Sequence, residues 1–127
     1  MCTFKKICVT NRHLSERPLD EQLERVFITS KPDVVILREK DLSEDEYRKL
    51  AYKIKVLCDL HCVRMVVNKY YEVARELGTT VQLSIIDYES NIESLDGLKA
   101  WVSVHSLQEA IRAEESSANA ILAGHIY

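Results

Sequence analysis

The sequence has few of the residues that interrupt regular secondary structure: only two prolines and three glycines occur among 127 residues. It has no uninterrupted apolar run of about 18 residues, which is the shortest length read as a membrane-spanning helix. Basic residues are not in excess, since 17 Lys and Arg stand against 20 Asp and Glu. A nucleic-acid-binding protein usually shows a clustered basic face. These absences predict a globular protein that binds neither a membrane nor a nucleic acid.

Cysteine is sparse, and its four positions do not suggest a disulfide framework. Cys8 falls within a predicted strand, and Cys58 and Cys62 fall near the end of a predicted helix. His61 lies between the last two, but structural zinc usually takes four ligands at loop-like spacing. No metal site is therefore predicted. No apolar stretch follows the N-terminal residues, so a secretory signal is not indicated and a cytoplasmic location is expected.

Short apolar segments alternate with helix-like segments along the chain. The segments are rich in β-branched residues and lack a polar-apolar alternation, which is typical of parallel strands covered on both faces. Alternating strands and helices imply crossover connections and an α/β fold. The predicted strands are residues 7–9, 34–37, 65–67, 80–83, 101–104 and 120–123.

Capping residues and apolar periodicity predict the first two helices. Pro18 is expected to open the first helix. Ser43 and Glu46 form a capping-box pattern at the start of the second. The second helix carries one apolar stripe with helical periodicity. Its members are Tyr47, Leu50, Ala51, Ile54, Leu57 and Cys58.

The later helices are predicted from weaker signals. A third helix is expected to end at Gly78, because glycine is the usual residue just beyond a helix C-terminus. Residues 89–98 are expected to form a weakly helical or irregular link around Gly97. Ser106 and Glu109 form a second capping-box pattern, which predicts another helix before the last strand.

Six parallel strands fit an open doubly wound sheet or most of a (β/α)8 barrel. We favour the barrel, because no helix follows the sixth predicted strand and residues 124–127 resemble a strand-end loop. The chain is accordingly predicted to be a single β/α domain over residues 1–127, an α/β protein of the TIM-barrel type truncated after strand six. Its open edges would invite pairing with a neighbour, so a homo-oligomer is expected, most simply a dimer.

Polar side chains follow directly after several predicted strands. Arg38, Glu39 and Lys40 follow the second strand, and His105 follows the fifth. Sites in parallel β/α folds form at the carboxyl ends of strands, so we expect a site shared among several strand ends. Alternation along an extended segment puts Arg38 and Lys40 on one side and Glu39 on the other. Two cations on one side suit a phosphate or a carboxylate, although a solvated charge triplet has the same pattern.

Six strings at predicted strand ends resemble the thiamine phosphate synthase/TenI superfamily of phosphate-binding (β/α)8 barrels. They are residues 9–12, 37–40, 67–68, 81–83, 103–106 and 124–125. Each string alone is weakly specific, but the six occur in the family's order and span nearly the whole chain. The resemblance implies a barrel fold and a role in thiamin biosynthesis, most simply as an enzyme.

The TenI branch of this superfamily is the more similar one. This chain resembles it in the Val-Gln-Leu string at Gln82, in the Ser-Val-His-Ser-Leu string that begins at Ser103, and in the Gly-His pair at His125. TenI-type enzymes with an assigned reaction are thiazole tautomerases, which move a proton on a carboxythiazole phosphate. The resemblance implies that His105 is the catalytic acid and base. Imidazole suits that role because it titrates near neutral pH, and the proton shift requires no cofactor.

The synthase branch is the second interpretation. Its members join hydroxymethylpyrimidine pyrophosphate to a thiazole phosphate. They resemble this chain at four residues that handle pyrophosphate in them: Arg38, Lys40, Asn68 and Ser103. They usually carry Gln in place of Ile36, Asp in place of Lys69 and His in place of Gln82. Because that Asp helps to hold Mg²⁺, the ion is expected only under this alternative.

The resemblance also implies roles for the remaining site residues and for the ligand. Asn68 would orient the heterocycle through its amide, and Gln82 would bond either the substrate or neighbouring polar groups. Ser103 lies two positions before His105, so both should face the barrel interior. The predicted substrate-binding residues are thus Arg38, Lys40, Asn68, Gln82 and Ser103, and the predicted partner is a small phosphorylated thiazole.

A third interpretation is a non-catalytic TenI-like fragment that regulates or binds a partner. Phosphate in such barrels is commonly held by the loops after strands seven and eight. We therefore expect a lone chain of this length to bind a phosphorylated thiazole weakly.

Overall fold

Strands and helices alternate along the chain, in the order that the sequence predicts. The computed structural model describes residues 6–116 and 118–123, and of Ala123 only the backbone. Within these residues there are six β-strands and five α-helices. The chain divides into two compact units, the first ending at Val67 and the second beginning at Asn68. No helix of the described part is long and apolar enough to cross a membrane.

The first unit is built on parallel strands that pair in chain order. Its elements are β1 (Ile7–Val9), a 3-10 turn (Arg12–Leu14), α1 (Leu19–Thr29), β2 (Val34–Leu37), α2 (Glu44–Leu60) and β3 (Arg64–Asn68), whose last residue belongs to the second unit. β2 lies between β1 and β3, with Ile36 opposite Val9 on one side and Val66 on the other. All four residues of β2 are buried, which explains its continuously apolar sequence.

Both helices of the first unit bury the faces that the periodicity predicts. Leu19, Leu23 and Phe27 of α1 are buried. The buried residues of α2 are Tyr47, Ala51, Ile54 and Cys58, while Leu50 and Leu57 lie half-buried at the margin of the stripe. The predicted capping box is confirmed. Ser43 Oγ accepts from the Glu46 N–H at 3.2 Å, and Glu46 Oε1 accepts from the Ser43 N–H at 3.1 Å.

The second unit continues the alternation. Its elements are α3 (Tyr71–Leu77), β4 (Thr80–Ser84), α4 (Ile85–Ser90), a 3-10 turn (Ile92–Leu95), β5 (Ala100–Val104), α5 (Leu107–Glu115) and β6 (Ala120–Ala123). β5 pairs in parallel with β4 and with β6. Gly78 ends α3 with a φ of 68°, in the left-handed region that glycine adopts without strain.

The second unit contains one helix that was not predicted, and one capping prediction there is wrong. Residues 89–98 form the predicted weakly helical link, since they contain the end of α4 and the 3-10 turn. The link predicted from residue 89 is preceded by a helix, since α4 begins at Ile85 and Ser84 Oγ caps it by accepting from the Asp87 N–H at 3.1 Å. The second capping box is only half formed. Ser106 Oγ accepts from the Glu109 N–H at 3.1 Å, but Glu109 Oε1 accepts from the N–H of His105 at 2.7 Å. The carboxylate reaches one residue further back than a capping box requires.

Candidate functional site

Two exposed cations follow β2 in the first unit. Arg38 and Lys40 are exposed, whereas Glu39 between them is only 3% exposed, as the alternation of an extended segment predicts. The side chains of Arg38 and Lys40 have no hydrogen-bond or ion-pair partner among residues 6–116 and 118–123. Both charges are therefore available to a ligand at this strand end.

Glu39 is held by groups from the end of β1. Its carboxylate accepts from Thr10 Oγ1 at 2.6 Å, from the Arg12 main-chain N–H at 3.0 Å and from Arg12 Nη1 at 3.1 Å. Thr10 Oγ1 in turn accepts from the main-chain N–H of Arg38 at 2.9 Å. A buried carboxylate is costly unless a cation and hydrogen bonds compensate it, and here Arg12 provides the cation.

Arg12 also binds a second carboxylate. Its Nη1 and Nη2 donate to Asp41 Oδ1 and Oδ2 at 2.7 and 2.5 Å, and His13 Nε2 lies 2.9 Å from Asp41 Oδ2. Hydrogen bonds first from Arg12 and then from His13 hold the pKa of Asp41 well below its usual range. The pKa of Arg12 is raised in return, chiefly by Asp41. Sequence reasoning missed the roles of Thr10 and Arg12, although both belong to one of the strings that carry the resemblance.

A line of hydrogen-bonded side chains crosses the strand ends of the second unit. The Asn68 amide donates to Gln82 Oε1, and the Gln82 amide donates to Ser103 Oγ. Gln82 is only 8% exposed, and these two bonds satisfy both ends of its side chain. Because Ser103 accepts from Gln82, its hydroxyl proton is directed to another acceptor. Three of the predicted site residues are thus brought together.

His105 lies beyond the end of β5 and is exposed. Alternation places it on the same side of the strand as the half-buried Trp101 and Ser103, opposite the buried Val102 and Val104. Its main-chain N–H is fixed by Glu109 at the start of α5. The backbone of the predicted acid–base residue is therefore anchored, while its imidazole stands at the surface. The Gly124–His125 pair lies outside the described residues.

One residue of the second unit departs from the magnesium site that the resemblance to the synthase branch implies. Lys69 stands where the synthase branch usually carries a carboxylate ligand, and its ammonium lies 5.4 Å from the centre of the Tyr70 ring. A cation at a ligand position opposes a divalent ion, which requires hard oxygen donors. Across the part of the chain that the structure describes, no group of three or more His, Cys, Asp or Glu side chains could hold a metal ion.

Comparison with known families identifies the chain. Residues 7–127 match the model of the TMP-TENI family, described as thiamine monophosphate synthase. The chain belongs to this family. It is 30% identical to the thiamine-phosphate synthase of Clostridium acetobutylicum over 129 residues, which cover 98% of this chain and 61% of that protein. The predicted superfamily is confirmed, and the chain spans about three fifths of the relative's length.

A solved structure confirms the predicted fold class. The chain is similar to the thiamine phosphate pyrophosphorylase from Pyrococcus furiosus, with a TM-score of 0.78 and 22% sequence identity. The match covers 97% of this chain and 61% of that one. The TMP-TENI chain is thus an α/β protein of the (β/α)8-barrel type whose six strands correspond to part of the solved fold.

Proposed function

We propose that this TMP-TENI chain acts in thiamin biosynthesis as a synthase-type enzyme. It would join hydroxymethylpyrimidine pyrophosphate to a thiazole phosphate and release pyrophosphate. The observation that carries the proposal is the pair of exposed cations, Arg38 and Lys40, which have no partner among the described residues. The family and the named relative support the synthase reaction over the tautomerase reaction that the sequence alone favours.

Arg38 and Lys40 suit the diphosphate group for electrostatic reasons. A guanidinium donates two parallel hydrogen bonds to phosphate oxygens, and an ammonium adds a compact charge. When pyrophosphate departs, negative charge accumulates on it, and cations already in place stabilise that charge without reorganising. Since Glu39 is neutralised by Arg12, its carboxylate repels the anion less than a free carboxylate would. Lys69 fills the position at which the synthase branch usually carries one ligand of Mg²⁺, so binding of the diphosphate is assigned to Arg38 and Lys40.

In the second unit we assign hydrogen bonding of the substrate to Ser103. Asn68 orients Gln82, and Gln82 donates to Ser103, so Ser103 is left to donate its own proton to a substrate oxygen or ring nitrogen. Under this proposal Asn68 and Gln82 position Ser103.

Turnover with both substrates tests the reaction. We expect the purified chain to form thiamin phosphate and pyrophosphate in equal amounts, with thiazole phosphate at millimolar concentration because its binding is expected to be weak. Arg38→Ala and Lys40→Ala should each lower the rate by about tenfold or more, which corresponds to one lost charge-assisted interaction. Lys49→Ala is the matched control, since Lys49 is an exposed lysine of α2. Folded wild-type protein that forms no thiamin phosphate would contradict the proposal.

His105 supports a second candidate function, the isomerisation of a carboxythiazole phosphate. Its imidazole is exposed on the side of β5 that carries Ser103, where it could give and take a proton. Isomerisation in D₂O, followed by NMR, distinguishes the two reactions. Turnover that is lost in His105→Ala, without release of pyrophosphate from the pyrimidine substrate, would favour the tautomerase.

We also propose that copies of the chain associate through β1. Ile7 and Val9 of this strand are 45% and 53% exposed, although both are apolar and β-branched. An exposed apolar strand tends to pair with a neighbour. Light scattering should show a dimer, and Val9→Lys should shift it toward monomer. A monomer at high protein concentration would exclude this mode of association.

A further inference from the structure

Glu39 has no role in the proposed chemistry, yet it lies between the two cations that do. Its side chain is buried and accepts hydrogen bonds from Thr10 and Arg12. We propose that Glu39, Thr10 and Arg12 form a positioning cluster, which holds residues 38–40 so that Arg38 and Lys40 stay available to a diphosphate anion. This inference rests on the proposed function and assigns the residues that prepare its anion site.

The Thr10 hydroxyl fixes the geometry of residues 38–40. The Thr10 hydroxyl accepts from the Arg38 main-chain N–H at 2.9 Å and donates to Glu39 Oε2 at 2.6 Å. One buried hydroxyl thus joins two consecutive residues of the segment, and Thr10 itself is only 4% exposed. Water does not compete for a bond at this depth as it does at the surface. The inward direction of Glu39, and with it the outward direction of its neighbours, is set by this contact.

The Arg12 guanidinium compensates charge in the same segment. Arg12 donates through its main chain and its guanidinium to Glu39, and through both terminal nitrogens to Asp41. The single positive charge of Arg12 is thus shared between the two carboxylates of the 38–41 segment, and the oxygens of the buried Glu39 are satisfied within the cluster. Without Arg12, the buried Glu39 carboxylate would lack its cation, and residues 38–40 would have to rearrange to bring it to water or to the neighbouring Arg38 or Lys40. A cation paired internally is less available to an anion. Arg12 therefore keeps the carboxylate from competing with the ligand.

An ordered 38–40 segment favours binding, because the conformational entropy of the segment is lost when the protein folds and not when the ligand binds. A flexible cationic side chain loses conformational freedom when it is immobilised on an anion, and a preset backbone reduces that loss. The cluster therefore contributes to affinity without touching the ligand. Its residues are positioning residues, and Arg38 and Lys40 remain the ligand contacts.

Calorimetric titration with inorganic pyrophosphate at constant ionic strength tests the role of Thr10. Thr10→Val removes the hydroxyl with little change in volume, and we expect binding to weaken by about tenfold, the scale of one charge-assisted hydrogen bond. Thr10→Ser should restore most of the affinity. Thr29→Val is the matched control, because the Thr29 hydroxyl bonds a main-chain carbonyl of α1, away from this segment.

A variant that lacks both Arg38 and Lys40 distinguishes a positioning role of Thr10 from a general structural role. In Arg38→Ala/Lys40→Ala protein, adding Thr10→Val should cause no further loss of pyrophosphate affinity. Equal affinity of wild type and Thr10→Val, or an equal further loss in the double-alanine background, would overturn the inference while leaving the proposed function intact. Wild type that binds no pyrophosphate, or binds it as tightly without Arg38 and Lys40, would overturn both.

A charge-removal series tests the role of Arg12, and it also serves if Thr10→Val fails to fold. Arg12→Met leaves Glu39 uncompensated, so pyrophosphate affinity should fall by about tenfold. Arg12→Met/Glu39→Gln removes the competing charge and should recover affinity to within about threefold of wild type. A double variant that binds no better than Arg12→Met would refute the charge argument, since loss of structure alone predicts no recovery. Circular dichroism at the titration temperature confirms that each variant is folded.

Discussion

At the scale of single residues, the charge of Asp41 depends on its cationic neighbours. Arg12 and then His13 hold the pKa of Asp41 below its ordinary value of 3.8. A carboxylate whose pKa is lower in the folded state stabilises the fold above its unfolded pKa. That contribution is lost as the pH falls from about 4 toward the folded pKa. Asp41 is largely exposed, so solvent screening keeps the effect modest.

Thermal unfolding of Asp41→Asn tests this linkage. At pH 7 the variant should melt at a lower temperature than wild type, because it lacks one of the two charged partners of Arg12. The difference should narrow as the pH falls from about 5 to about 2.5, because Asp41 of the unfolded chain takes up a proton over this range while Asp41 of the folded protein stays charged. A difference that stays constant or grows over this range would show that Asp41 acts on stability without its ionisation.

At the scale of elements, one hydrogen bond ties the start of α2 to the end of β2. The Tyr47 hydroxyl donates to the Leu37 carbonyl at 2.6 Å, directly before Arg38, and Tyr47 is only 1% exposed. This bond was not predictable from the sequence, since the apolar stripe indicates that Tyr47 is buried but not which group accepts its hydrogen bond. The capping box at Ser43 was predictable because both of its groups lie within one turn of sequence.

Tyr47→Phe tests the contribution of this bond. The change leaves the buried Leu37 carbonyl without its side-chain donor, so the free energy of unfolding should fall by about 1–3 kcal/mol. Urea denaturation measures it. Tyr71→Phe is the control, since the Tyr71 hydroxyl has no hydrogen-bond partner among the described residues and its loss should change stability by less than about 0.5 kcal/mol. If Tyr47→Phe is as stable as the control, the hydrogen bond between Tyr47 and Leu37 contributes no net stabilisation.

The missed helix and the wrong capping prediction have local causes. Ile85 and Ile86 prolong the apolar run of β4, so the helix that Ser84 caps was hidden within a strand-like pattern. Ser106 and Glu109 match the capping-box pattern, but the glutamate side chain is long enough to reach either of two consecutive N–H groups. In the structure, the Glu109 carboxylate accepts from the N–H of His105. A four-residue pattern does not distinguish these two geometries.

At the scale of the whole molecule, the fold class follows from the alternation of strands and helices, because that pattern alone implies parallel pairing. That Arg38 and Lys40 lie on one side also follows from sequence alone, because side chains alternate along the extended segment after β2. The contacts between Thr10 and Glu39 and between Gln82 and Ser103 do not, since they depend on the register between strands. A single domain over residues 1–127 stays a prediction.

The central prediction is that Arg38 and Lys40 bind a diphosphate group, and a titration measures this binding. Pyrophosphate and orthophosphate are titrated into wild type, Arg38→Ala/Lys40→Ala and the Lys49→Ala control. Wild type and control should bind pyrophosphate about tenfold or more tightly than orthophosphate, and added salt should weaken that binding. The double variant should lose the preference. A double variant that keeps both the affinity and the preference of wild type would contradict the account.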